Sequence, residues 1–214
     1  MDVKRLQKAR LLCLGAHCDD IEIGCGGTLL NVLQKYPNIE VRWIVFSSDI
    51  HREEEARSAA NDFLKQANKK TILINNFRNG FFPYVGADIK DYFEKIKNIY
   101  TPDLIFTHYR QDLHQDHRMI SELTWNTFRN HFILEYEIPK YDGDFGVPNV
   151  FVPLKHKICV DKINKISSYF KTQKNKHWFT EELFLSTLRI RGMECCSNTR
   201  YAEAFYCRKM SIEL

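Results

Sequence analysis

Two short clusters of imidazole and carboxylate side chains carry the chemical potential of this 214-residue sequence. His17-Cys18-Asp19-Asp20, with Glu22 two positions on, follows the apolar run Leu11 to Ala16. His114-Gln115-Asp116-His117 begins several residues after a second apolar run, Leu104 to Thr107, which leads directly into His108. Two imidazoles and one carboxylate, with the remaining positions left to water, form a workable catalytic site for a divalent transition metal. Zinc suits such donors, and iron, cobalt or nickel can use the same set. His17 and Asp20 are close enough in the chain to reach one ion from a single turn, with His117 as a distant clamp. A bound cation lowers the pKa of coordinated water and polarises a carbonyl oxygen. Asp19 is then expected as the base that takes a proton from that water, and His114 as the donor to the developing oxygen anion. Asp116 is expected to orient His17 or His114. Taken singly, each cluster reads as a helix start, with Asp116 near the positive end of the helix. Their joint position after apolar strands is what points to metal.

The elements that must position these groups follow from hydrophobic periodicity. Short apolar runs at Leu11 to Ala16, Val41 to Phe46, Thr71 to Ile74 and Leu104 to Thr107 read as strands. Between them, Thr28 to Tyr36, Arg52 to Gln66 and a stretch from Val85 through Tyr100 read as helices, the last with Ile89, Tyr92, Phe93 and Ile96 on one face. Gly24, Gly26 and Gly27 read as a flexible loop entering the first helix. This alternation is the signature of a layered α/β sheet. Ligands of open α/β sheets bind at the carboxyl ends of strands, so central, parallel placement would bring both clusters to one crevice. A helix after His117, a strand over His131 to Glu137 and a Gly- and Pro-bearing loop from Pro139 to Pro148 come next. Then a short strand at Phe151 to Pro153, a lysine-rich helix, a helix over Glu181 to Ile190 capped by Thr180, and an aromatic segment Tyr201 to Cys207 complete the chain. One domain over residues 1–214 is expected, residues from about 139 to 214 elaborating its C-terminal part.

Composition narrows the function classes. Hydrophobic residues at 44% and charged residues at 27% fit an ordinary soluble globular protein. A formal charge of +4 is a weak case for nucleic acid, so none is expected as a partner. Lys155, Lys157, Lys162, Lys165, Lys171, Lys174 and Lys176 alternate with apolar residues and read as the solvated side of an amphipathic helix. No run approaches 18 apolar residues, so no transmembrane segment is expected. Met1 to Arg10 is basic and polar, without the apolar core of a signal peptide. Seven cysteines, an odd number with no CxxC pair, suggest reduced thiols in the cytoplasm. Arg52, Arg78, Tyr109, Arg110 and Asp142 are candidates for contacting substrate, although Arg52 and Glu55 could instead form a surface pair one helical turn apart. The aromatic content permits a homo-oligomer.

Ala16-His17-Cys18-Asp19-Asp20-Ile21-Glu22-Ile23-Gly24, with Gly26-Gly27-Thr28, resembles the A-H-P-D-D-x-E-x-G-x-G-G-T opening of the LmbE-like or PIG-L family. Those proteins are metal-dependent N-deacetylases of N-acetylglucosamine conjugates and related amides. His114-Gln115-Asp116-His117 resembles the family's H-P-D-H motif, Arg52-x-x-Glu55 with Ala59 and Ala60 its segment after the second strand, and Tyr201-Ala202-Glu203-Ala204-Phe205 its C-terminal YAEAF. The resemblance implies a Rossmann-like three-layer sandwich with a mainly parallel central sheet. It implies zinc held by His17, Asp20 and His117, Asp19 as general base, His114 as electrostatic stabiliser or acid, and Arg52 on the substrate. Cys18 and Gln115 stand where the family usually has Pro, which removes two rigid turns and sets a thiol beside the ion. The implied reaction is water attack on an acetamide, giving acetate and a free amine. An N-acetylated sugar conjugate, nucleotide- or lipid-linked, is the implied substrate. Two rivals remain: a metal-dependent phosphoesterase, which would benefit from a second ion, and a non-catalytic metal-containing sugar-binding protein.

Overall fold

The run Leu11-Leu12-Cys13-Leu14 has no polar side to give to water, so a strand made from it must be covered on both faces. In the computed structural model, which describes residues 8–211, it lies within β1 (Arg10–Gly15), an interior strand of a seven-stranded sheet. Most of Met1 to Arg10 lies outside the described residues. The chain continues through α1 (Asp20–Lys35), β2 (Glu40–Val45), α2 (Ile50–Phe63), β3 (Lys69–Ile74), α3 (Gly86–Ile99), β4 (Leu104–His108), α4 (Gln115–Thr127) and β5 (Phe132–Tyr136). It ends with β6 (Val150–Leu154), α5 (His156–Tyr169), α6 (Glu181–Glu194) and β7 (Tyr201–Tyr206). The strand order is β3-β2-β1-β4-β5-β7-β6. The first five strands in that order run parallel, and β7 is antiparallel to both β5 and β6.

Leu11 and Cys13 join a core with Leu29 and Leu33 of α1, Phe63 of α2, Ile163 of α5 and Leu188 of α6. Leu12 and Leu14 join a second core with Ile89 and Phe93 of α3 and Ile120 of α4. Helices therefore cover both faces, and the fold is the expected three-layer α/β sandwich with a mainly parallel sheet. Strand β1 pairs with β2 on one side and with β4 on the other, in register Leu11↔Leu104 and Cys13↔Phe106. That is the reversal point of the strand order, where the loops after adjacent strands part and leave a crevice. Among the described residues, no helix is long and apolar enough to cross a membrane.

Two local expectations are corrected. Gly24, Gly26 and Gly27 lie inside α1, which starts at Asp20, and are not a flexible entry to it. They are small because neighbours press on the helix: a Cβ on Gly24 would stand 2.1 Å from the Tyr136 ring, on Gly26 2.6 Å from Phe63, and on Gly27 2.6 Å from Leu154. Close packing outweighs the helix-propensity cost of glycine, about 1 kcal/mol each. The second correction concerns Lys162, which is buried and not on a solvated helix face. Its ammonium donates to Glu203 Oε1 at 2.7 Å and to Ile23 O at 2.6 Å. Glu203 also accepts from the N–H groups of Gly27 and Thr28 at 2.7 and 2.6 Å, so β7 is bonded to the middle of α1.

Candidate metal centre

Because β1 and β4 are neighbours, the turn at His17 to Asp19 and the loop from Tyr109 to His114 leave the sheet side by side. Asp20 occupies the first turn of α1, where the positive end of the helix favours a carboxylate. His114 caps α4, its Nδ1 accepting from Asp116 N–H at 3.2 Å, and His117 sits one turn further on. His17 Nδ1 and His117 Nε2 are 3.1 Å apart. Oxygens of Asp20 lie 3.5 Å from the first and 3.6 Å from the second. Donors around a tetrahedral ion at about 2.0–2.2 Å are spaced at roughly this distance. Two overlapping groups able to hold an ion share His117: His17 with His114, and Asp20 with His108.

The outward nitrogens of both imidazoles are fixed by carboxylates, as metal-binding histidines require. His17 Nε2 is 3.2 Å from Asp116 Oδ2, and His117 Nδ1 is 2.9 Å from Asp112 Oδ2. Asp116 also accepts from Gly80 N–H at 2.7 Å and Phe82 N–H at 3.1 Å, tying the loop after β3 to the centre. Burial opposes ionisation of Asp20, but His117 and His108 hold its carboxyl well below the usual range. The donor set is therefore one buried carboxylate and two imidazoles oriented from behind, which fits a divalent transition metal.

Asp19 lines the same crevice. Its Oδ1 accepts from Arg52 Nη2 at 2.9 Å, and its buried Oδ2 has no hydrogen-bond partner among the described residues. Burial raises the Asp19 pKa, with the Arg52 charge opposing and the Asp20 charge adding to the rise. Burial lowers the His114 pKa, and the neighbouring His17 lowers it further. With Nδ1 accepting from the backbone, neutral His114 carries its proton on Nε2. Cys18 is fully buried, its Sγ 3.5 Å from Ser47 O, and burial pushes its thiol far up. Glu22 is also buried with both oxygens unpartnered, and burial raises its pKa well above the usual carboxylate value.

The crevice has a volume of about 360 Å³ and brings together His17, Asp19, Asp20, Arg52, His114, His117 and Asp142. Asp116 stands behind it. Arg78, Tyr109 and Arg110 are not in its lining: Arg78 stacks on Phe81 with its guanidinium carbon 3.5 Å from the ring centroid, Tyr109 stacks on Tyr206, and Arg110 is exposed. Arg52 and Glu55 do not pair; Glu55 accepts from Thr172 instead. His108, a member of one of the two groups able to hold an ion, is fully buried, its Nε2 2.9 Å from Ala16 N and 3.2 Å from Asp20 Oδ2. Sequence reasoning passed over Asp112, Lys140, Gln173 and Trp178. Asp112 carried a signal, a carboxylate five residues before His117 in the loop after a strand. The other three come from beyond β5 and carry none.

Known proteins resemble this chain in sequence and in fold. The chain is 28% identical over 171 residues to the uncharacterized deacetylase YaiS of Escherichia coli K12, spanning 74% of this chain and 89% of that one. Its fold matches that of N,N'-diacetylchitobiose deacetylase from Pyrococcus horikoshii with a TM-score of 0.69 at 21% identity, covering 97% of this chain and 87% of the other. It also matches GalB, the 4-carboxy-2-hydroxymuconate hydratase of Pseudomonas putida KT2440, with a TM-score of 0.69 at 13% identity, covering 96% and 98%. Residues 12–128, more than half of the chain and all of the residues proposed as metal ligands, match the model of the family described as PIG-L, GlcNAc-PI de-N-acetylase. This chain belongs to the PIG-L family, a deacetylase-type hydrolase family.

Proposed function

We propose that the chain is a zinc-dependent N-deacetylase that removes acetate from an N-acetylated amino-sugar conjugate, nucleotide- or lipid-linked, in the cytoplasm. The observation that carries this reading is the buried Oδ2 of Asp19, without a partner among the described residues, in the crevice where the side chains of His17, Asp20 and His117 are spaced for one cation. When bound, a divalent ion supplies Lewis acidity, lowering the pKa of a water and polarising a carbonyl. Arg52 fixes Asp19 through Oδ1, so Oδ2 is the atom that takes the water's proton as its oxygen attacks the acetamide carbon. His114 Nε2–H donates to the carbonyl oxygen as that carbon becomes tetrahedral. Asp19 then returns the proton to the nitrogen, the C–N bond breaks, and acetate and a free amine leave. Asp116 and Asp112 hold the imidazoles of His17 and His117 throughout.

A phosphoesterase using two ions is the weaker reading. Among the described residues, the two groups able to hold an ion share His117 and cannot serve two ions independently. The deciding experiment combines metal analysis with acetate release from free, nucleotide-linked and lipid-linked N-acetyl sugars, a phosphate ester serving as contrast. One ion and acetate support the proposal. Two ions with phosphate release, or one ion with no acetate from any conjugate, refute it.

A further inference from the structure

The loop between β5 and β6 sends a cation to the residues behind the metal ligands. Lys140 Nζ lies 3.0 Å from Asp112 Oδ2 and 2.5 Å from Asp144 Oδ2. All three side chains are less than 10% exposed. Asp112 is already engaged: its Oδ2 accepts from His117 Nδ1, and its Oδ1 accepts from His114 N–H at 2.8 Å. Asp144 accepts from Leu113 N–H at 2.7 Å. The consecutive residues Asp112, Leu113 and His114 are thus pinned by one ionic cluster, and Lys140 is the cation bonded to its carboxylates.

We propose that Lys140 is a positioning residue for the metal site, holding Asp112 where that carboxylate fixes the Nδ1–H tautomer of His117 and leaves Nε2 free for the ion. Without the ammonium, two buried carboxylates would face each other with no cation between them, and their repulsion drives them apart. Movement of Asp112 takes away the acceptor that orients His117. Removing a partner behind a metal-bound histidine typically lowers metal affinity about 10–100-fold. The inference rests on the metal assignment of the proposed function and not on its substrate. Lys140 also lines the crevice, so lost activity could not separate positioning from substrate contact. Metal affinity can.

The test is Co2+ titration of the metal-free full-length protein, followed by absorbance against a competing chelator. Lys140→Gln is expected to bind Co2+ about 10–100-fold more weakly. Lys140→Arg, which restores a cation beside Asp112, is expected to recover most of that affinity. Asp144→Asn leaves the Lys140–Asp112 contact in place and is expected to bind nearly as the parent. Circular dichroism of the metal-free proteins checks the fold, and Lys140→Met replaces Lys140→Gln if that variant is unfolded. Unchanged affinity in the neutral variant, no recovery with Arg, or an equal loss in Asp144→Asn overturns the proposal. The readout uses no substrate, so a protein that binds Co2+ in this pattern but releases no acetate would overturn the deacetylase reading alone.

Discussion

Replacing Gly24 by Ala tests whether the start of α1 is glycine-rich because neighbours approach it closely. Position 24 is helical, so on propensity alone Ala should stabilise by about 1 kcal/mol. The new Cβ would lie 2.1 Å from Tyr136 Cδ2, so the ring must retreat by more than about 1 Å to reach ordinary contact. Tyr136 is fully buried, its hydroxyl donates to Leu14 O at 2.6 Å, and the Tyr136 hydroxyl oxygen lies 3.3 Å from His108 Nε2. Moving the ring therefore costs overpacking strain, typically 1–3 kcal/mol and here at the upper end, plus about 1 kcal/mol for a weakened hydrogen bond. After the propensity gain, a net loss of about 2–3 kcal/mol is expected. Urea unfolding should show it as a lower midpoint with an unchanged slope. Gly86→Ala is the control, because the nearest atom to its Cβ is the flexible Met119 methyl at 3.3 Å. That variant should be neutral or stabilising. A Gly24→Ala protein as stable as the parent would refute the packing argument.

Asp19→Asn should retain zinc while acetate release falls at least about 100-fold, the usual scale of general base catalysis; unchanged turnover rejects the assigned base. Lys162→Met should lower unfolding stability by about 3–5 kcal/mol, because Glu203 is left buried without its ammonium. The double variant Lys162→Met/Glu203→Gln should recover part of the loss, and no recovery would show that packing matters more than charge. In the metal-free protein, burial opposes protonation of His17, but its bonds to Asp116 and Asp20 raise its pKa from 6.5 to about 9. A raised folded-state pKa means its stabilisation is fully present below pH 6.5 and is lost as pH rises towards 9. The urea midpoint of the metal-free parent should fall over that window more steeply than that of His17→Gln, and equal slopes would contradict it.

The parts of the fold legible in the sequence were those whose causes are local. Leu11 to Leu14 and Leu104 to Phe106 are apolar on both faces, which only covered parallel strands tolerate, and the acid and imidazole clusters follow them directly. Their convergence then needed one topological step, the pairing of β1 with β4. What could not be read were effects arriving from distant segments. The need for glycine at positions 24, 26 and 27 is set by Tyr136, Phe63, Leu154 and Glu203, none of which is near in sequence. Lys162 follows the periodicity of a surface position, yet Glu203 draws it into the interior. For Arg78 and Tyr109, a loop at the correct end of the sheet did not fix side-chain direction, because Phe81 and Tyr206 offer them better partners.

Cys18 joins these two kinds of information. The sequence sets a thiol between the proposed metal ligand His17 and the proposed base Asp19, in the place where the resembled motif has proline. In the fold, the four consecutive side chains divide among three partners: His17 and Asp20 meet His117, Asp19 meets Arg52, and Cys18 meets Ser47 O just past the end of β2. Backbone bonds hold that end of β2 against the turn, Phe46 N–H donating to Gly15 O and Ser47 N–H to Ala16 O, both at 2.9 Å. The turn is thus fixed by the neighbouring strand without the ring constraint of proline. Its Sγ is directed to Ser47 O and belongs to neither group able to hold an ion among the described residues, so the thiol is not placed as a metal ligand. Cys18→Ser, whose hydroxyl can still donate to Ser47 O, should therefore hold one equivalent of zinc with affinity within a few-fold of the parent, measured by chelator competition. Loss of the full equivalent would mean that the sulfur binds the ion, and the site would have to be rebuilt with Cys18 as a donor.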